Sequence, residues 1–258
     1  MFRIPGRFVF LCMFTLAVGC GPRLIPKRPL PREQVLLSIR LMGEGDVLLR
    51  QGKDHLAMLK YLEASRLNPY EEVIFNKLAT VYLRLGMVLQ ADEAIDRSLR
   101  LNPEYAYGYN TRGIVRLAFQ DFKGAAKSFQ RAIRLRDDVA GFYINLGFCL
   151  VQLGNVEEAV AAYRKGLSLN PSILQTASEV PLGLSPEEDL PANKCYELAT
   201  IFARLGNIEY TLRFLDRALK AGYVTGEEIL DEPVFRELAE ESEEFRRFLA
   251  FRGVSLYP

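Results

Sequence analysis

AGFYINLGFCLVQLGNVEEAVAAYRKGLSLNPSI, residues 140–173, holds the plan of the chain in 34 positions. Ala140 to Leu153 place Tyr143, Leu146, Gly147 and Leu150 on one stripe at helical spacing. Gly154-Asn155 ends that helix, because glycine accepts the left-handed conformation common just past a helix end. A second helix, Val156 to Leu169, turns Ala159, Tyr163, Gly166 and Leu167 inward. Small residues at Gly147, Ala159 and Gly166 let the two helices approach closely, and Tyr143 and Tyr163 fill the space beside them. Pro171 ends the unit, since it cannot continue the hydrogen-bond ladder. One hairpin cannot cover its own apolar face, so several must stack.

The same unit recurs on either side. Leu67-Asn68-Pro69, Leu101-Asn102-Pro103 and Leu169-Asn170-Pro171 lie at multiples of 34, with Asp137 where a fourth proline belongs. Gly52, Gly86 and Gly154 keep the same phase, and Gln120 stands in the vacant slot. So do Ala57, Ala91, Ala125 and Ala159, and again Ala64, Ser98, Ala132 and Gly166. Four coincident columns over four copies define an internal repeat.

These units resemble tetratricopeptide repeats, helix–turn–helix modules with a 34-residue period. They cover about 38–71, 72–105, 106–139 and 140–173. The resemblance implies an all-α fold, a right-handed superhelical solenoid of stacked helix–turn–helix repeats. Arg112 and Arg116 depart from it at places usually apolar; their aliphatic stems are expected to cover the core while the guanidinium groups reach water.

A fifth repeat, 192–222, follows 18 residues late, its Leu205-Gly206-Asn207 marking the phase. The excess is an inserted loop at 174–191 with three prolines and the acidic run Glu187-Glu188-Asp189, placed to cover the edge of a groove. Residues 223–258 read as capping helices, the last near Ser242–Phe251, with Phe235, Leu238, Phe245, Phe248 and Leu249 on one side and five glutamates on the other. An acidic docking surface is the alternative use of that polar face.

Outward to the N-terminus, Arg3 and Arg7 precede an almost wholly apolar run, Phe8–Gly19. As a helix it would span about 18 Å, short of a hydrocarbon core of roughly 30 Å, which is the layout of a secretory signal peptide at 1–19. Leu16-Ala17-Val18-Gly19-Cys20 resembles the bacterial lipobox. That resemblance implies cleavage before Cys20, acylation of Cys20 and firm retention on a membrane by two or three chains. Residues 20–33 then form a basic, proline-rich tether that favours extended polyproline II. Gly21 after the cysteine points to an outer membrane, with the chain facing the periplasm of a bacterial envelope.

Composition narrows the chemistry. The chain has 33 basic and 32 acidic residues among 258, net +1, so it offers no general attraction to nucleic acid. It has no Trp and one His, His55, beside Asp54 on a polar face. Cys149 and Cys195 sit six residues apart in repeat phase, about 9 Å of rise, and are expected to stay separate buried thiols, with a bridge left open if the insertion shifts the geometry. No metal-ligand spacing, phosphate loop or nucleophile–base pair is present, so an enzyme, a cofactor and a small-molecule substrate are not expected.

The resemblance instead implies binding of a protein or extended peptide in a concave groove lined by the first helices. The residues carried over are Asn76, Thr80, Leu83 and Arg84, then Tyr107, Asn110, Ile114 and Leu117, then Ile144, Phe148 and Gln152, then Tyr196 and Arg204. Asn76 and Asn110 are equivalent and suit the amide and carbonyl of a peptide backbone. Part of this stripe could instead be filled by the inserted loop or the tail. The carboxylate clamp of chaperone-binding members is absent, because Asn76, Thr80, Thr111, Gly141 and Asn145 include no basic residue. The expectation is a lipid-anchored periplasmic scaffold. The alternative is an assembly factor for an envelope machine, such as a type IV pilus secretin pilotin or an outer-membrane-protein insertion subunit.

Overall fold

The computed structural model describes residues 27–174 and 190–254. The proposed signal peptide, Cys20, most of the tether and the body of the inserted loop lie outside them. Among the described residues there are thirteen helices and no strand. Ten form five hairpins: α1 (Arg32–Arg50) with α2 (Asp54–Leu67), α3 (Glu72–Arg84) with α4 (Val88–Leu101), and α5 (Ala106–Ala118) with α6 (Phe122–Leu135). The fourth is α7 (Ala140–Gln152) with α8 (Val156–Leu169), and the fifth, beyond the insertion, is α9 (Ala192–Arg204) with α10 (Ile208–Lys220). Each hairpin packs its second helix on the first helix of the next, giving the all-α solenoid that the repeats imply. The first helix starts at Arg32, directly after Pro31, so the stack takes in the end of the segment read as tether.

The turn inside each hairpin shows why the glycine column exists. At Gly154, φ is 78°, its N–H donates to Val151 and the next N–H, of Asn155, donates to Leu150 at 2.9 Å. This double closure of the last carbonyls requires a left-handed residue just past the helix. Gln120 makes the same two bonds' worth of closure with φ 59°, the one non-glycine with positive φ among the described residues.

The corner between hairpins explains the Leu-Asn-Pro column. The side-chain oxygens of Asn68, Asn102 and Asn170 accept from the backbone N–H two residues on, at 3.2, 3.0 and 3.1 Å. An asparagine thus imitates a backbone turn, and proline follows where no helix can continue. At the third corner Arg136 replaces the asparagine. It bonds Asp138 at 2.9 Å and the Tyr107 hydroxyl at 2.9 Å, so a side-chain clasp holds the corner.

The core of each hairpin rests on matched sizes. A Cβ added at Gly45, Gly113 or Gly147 would lie 2.5, 2.4 and 3.0 Å from Tyr61, Phe129 and Tyr163 respectively. Those pairs are each 16 residues apart in the chain, one per repeat. In repeats two and five the equivalent positions hold Ala79 with Ile95, and Ala199 with Leu215, all fully buried. Glycine stands opposite an aromatic ring and alanine opposite an aliphatic chain. Arg112 and Arg116 do more than reach water: they pair with Asp96 and Asp92 of α4, the latter at 3.8 Å.

Three short helices close the C-terminal end: α11 (Gly226–Asp231), α12 (Pro233–Glu241) and α13 (Glu243–Phe251). Thr225 and Glu228 form a capping box on α11, and Ser242 caps α13 by accepting from the Phe245 N–H at 3.2 Å. Phe235 and Phe245 stack at 6.0 Å under these helices, and both are fully buried.

Candidate functional site

The C-terminal halves of α3, α5 and α7 converge on an open cavity of about 730 Å³. Its wall contains Thr80, Leu83 and Arg84 from α3, Ile114 and Leu117 from α5, and Phe148 and Gln152 from α7. These are seven of the thirteen residues carried over to the groove, and their i, i+3, i+4 spacing is what brings them to one side of each helix. The family model for the tetratricopeptide repeat matches residues 110–172, which supply the α5 and α7 sides of this wall. The chain is a tetratricopeptide repeat protein.

Other comparisons agree on the architecture. A cytochrome c-type biogenesis protein of Rhizobium meliloti, CycH, is 30% identical over 182 residues, 66% of this chain and 43% of that relative. The chain thus spans less than half of the length of that curated relative. Among solved structures, pilF of Pseudomonas aeruginosa is 17% identical with TM-score 0.58, over 86% of this chain and 91% of that one. A thermophilic tetratricopeptide repeat protein of Thermus thermophilus is 18% identical with TM-score 0.53, over 84% and 100%. At these identities the two structures speak for the fold.

Within the repeat array the remaining carried-over residues fall in different places. Asn76 is half-buried, its backbone carbonyl accepts from the Thr80 hydroxyl at 3.0 Å, and its side-chain oxygen is buried with no hydrogen-bond partner. Asn110 already accepts from the Asn145 amide at 2.8 Å, which leaves its own NH₂ to donate. Three expectations are corrected. Ile144 is fully buried against Gly166 inside the α7–α8 hairpin and faces no groove. Tyr107 belongs to the Arg136 corner, with its ring 5.5 Å from Phe142. Tyr196 is packed between Tyr223 and Phe235 at 5.9 and 5.8 Å, so the tail occupies the stripe at repeat five. Arg204 pairs with Glu157 at 2.6 Å and lines a separate cleft of about 450 Å³ against α12.

The cavity also has a wall that the first helices do not supply. Val88 and Phe122 open the second helices α4 and α6, and Leu190 and Pro191 lead into α9. The apolar column Val88, Phe122, Val156 at period 34 was the available signal for the first two. Leu190 and Pro191 put the exit of the insertion at the lip of the cavity. Both ends of the insertion are pinned: the Tyr210 hydroxyl donates to the Leu174 carbonyl at 2.5 Å, and Lys194 reaches the Val151 carbonyl at 2.8 Å.

Among the described residues the cavity wall has one charged side chain, Arg84, held by Asp54 through bonds of 3.0 and 3.1 Å. Gln152, on the wall, has a buried side-chain nitrogen with no partner, and the side-chain oxygen of Asn76, one turn before Thr80 on α3, is likewise buried and unmatched. Burial pushes the Cys149 thiol up to about 12, so it stays protonated and unreactive, and no disulfide joins it to Cys195. Among the described residues no group of three or more His, Cys, Asp or Glu is placed to hold a metal ion. Arranged this way, the wall can take apolar side chains and bond a few backbone groups.

Proposed function

We propose that this protein is a membrane-anchored scaffold of a bacterial envelope, facing the periplasm and holding a protein partner through the cavity between α3, α5 and α7. Tetratricopeptide repeat proteins are protein–protein interaction scaffolds, and that much follows from the family. The observation that supports partner binding is the apolar cavity of about 730 Å³ with the unmatched Gln152 amide on its wall. A buried amide without a partner costs on the order of 1–3 kcal/mol, which a peptide backbone bonded there recovers. The anchor rests on the sequence around Cys20.

A photoreactive residue in place of Leu117 or Gln152 in intact cells is expected to trap a protein, whereas one at the buried Ile144 is not. Silence at both cavity positions removes the groove reading. Cys20→Ala is expected to release the chain from membranes; continued membrane association removes the lipid anchor.

A second reading, an assembly factor for an envelope machine, is favoured by one observation, the similarity over 182 residues to a protein named for cytochrome c-type biogenesis. The two differ in what the trapped partner is. A scaffold recovers soluble periplasmic enzymes. An assembly factor copurifies with an integral membrane complex, and its deletion abolishes that complex.

A further inference from the structure

The first hairpin carries six of the twelve large apolar side chains that are exposed among the described residues; no later hairpin carries more than two, Leu89 on α4 being one of these. Leu36, Ile39 and Val47 lie on one stripe of α1 and are 53, 52 and 44% exposed; Leu56 and Leu59 on α2 are 50 and 51% exposed. The repeat supplies its own control. Val81, 34 residues after Val47, is fully buried in a core shared by the first two hairpins, whereas no hairpin precedes α1 among the described residues. Leu56 and Leu59 correspond to Gln90 and Glu93 of α4, which face solvent as polar residues.

Charge at this end is one-sided. Lys27, Arg28, Arg32, Arg40, Arg50 and Lys53 are all exposed. The acids among them are mostly neutralised from within: Glu44 pairs with Lys60 at 2.8 Å, Asp46 with Lys77 at 2.7 Å and Asp54 with Arg84 at 3.0 Å. Only Glu33 of the acids between residues 27 and 60 lacks such a pair among the described contacts. The far end is the reverse, with Glu237, Glu240, Glu241, Glu243 and Glu244 on α12 and α13. The apolar run Phe8–Gly19 and Cys20 also join the structure at this basic end, through Lys27.

We infer that the α1–α2 end of the array lies against an anionic lipid surface, its leucines and isoleucine in the headgroup boundary and its arginines on the phosphates. Lys27 and Arg40 have acidic partners in Glu72 and Glu44, and the remaining exposed cations, with apolar side chains beside them, are what such a boundary accepts. The inference rests on the membrane-anchored reading above and adds an orientation to it: the cavity of α3, α5 and α7 stands beyond the first hairpin, away from the bilayer, and the acidic cap is farthest out.

The test is photocrosslinking of the full chain in its native membranes, with p-benzoylphenylalanine in place of Ile39, Leu56 or Phe251. Phe251 is 81% exposed and apolar but sits at the acidic end, so it controls for exposure alone. Phospholipid adducts at positions 39 and 56 and none at 251 are expected. Adducts of twice the chain's mass, adducts to another protein, or no adduct at either position overturn the inference. Fractionation of the same cells reads the anchor separately: chain that sediments with membranes but gives no lipid adduct loses the orientation and keeps the anchor.

Discussion

Gly113 and Phe129 are fitted to each other more closely than either is to a generic repeat. A methyl group at 113 has nowhere to go, since the ring lies 2.4 Å from where it would sit. Gly113→Ala is therefore expected to cost about 1–3 kcal/mol in urea unfolding. Adding Phe129→Ile rebuilds the Ala79–Ile95 pair of repeat two, and the double variant should lose less than the sum of the singles, with a coupling of about 0.5–3 kcal/mol. Strict additivity would show that the size match is incidental. Gln120 presents the opposite case, a side chain where the backbone prefers none. Its φ of 59° is a left-handed conformation that costs an L-residue about 1–2 kcal/mol. Glycine loses part of that gain through the unfolded chain, so Gln120→Gly should stabilise by up to about 1 kcal/mol, and a lower urea midpoint would contradict the account.

At the scale of the element, helix ends and corners decide what the repeat pattern alone could tell. The helices and their glycine turns were legible because period 34 and elementary capping chemistry point the same way, whereas the cap on Ser242 was not read from the sequence. The groove was legible only in part. Carrying positions across at a fixed phase picked Leu83, Leu117 and Phe148, which line the cavity. It misplaced Tyr107, because the third corner uses Arg136 instead of asparagine and claims that tyrosine. It misplaced Ile144, because Gly166 on α8 leaves room that the isoleucine fills. Neither exchange shows in a single repeat; each depends on what the neighbouring element lacks. The first corner offers a pH test. Burial raises the Glu72 carboxyl, but Lys27 at 2.9 Å and the Asn102 amide at 2.8 Å more than offset this and hold it below its ordinary value of 4.5. A depressed carboxyl stabilises the fold above that value, and the contribution is lost as pH falls through the lower folded one. Because Lys27 is 52% exposed, the effect is small. Lys27→Met should cost about 0.5 kcal/mol near neutral pH and almost nothing once Glu72 is protonated in acid. An equal loss at both would exclude the ion pair as its cause.

Over the whole molecule, the insertion interrupts the sequence without interrupting the stack. Tyr210 on Leu174 and Lys194 on Val151 fix its two ends from neighbouring elements. Replacing residues 176–188 with a glycine–serine linker of equal length is thus expected to change stability by less than about 1 kcal/mol, since closure entropy depends mainly on length. A loss of several kcal/mol in a thermal melt would mean that the intervening residues themselves hold repeats four and five together. Tyr196, by contrast, is packed against Phe235 and Tyr223. That packing bears on how much of a ligand the proposed groove would read. The open wall ends at α7, leaving three neighbouring first helices in register. At about 8–10 Å between axes they span about 20 Å, the length of roughly six extended residues. On the proposed groove reading the array is a short ruler: it would sample a brief stretch of a partner and leave the rest of that chain unread.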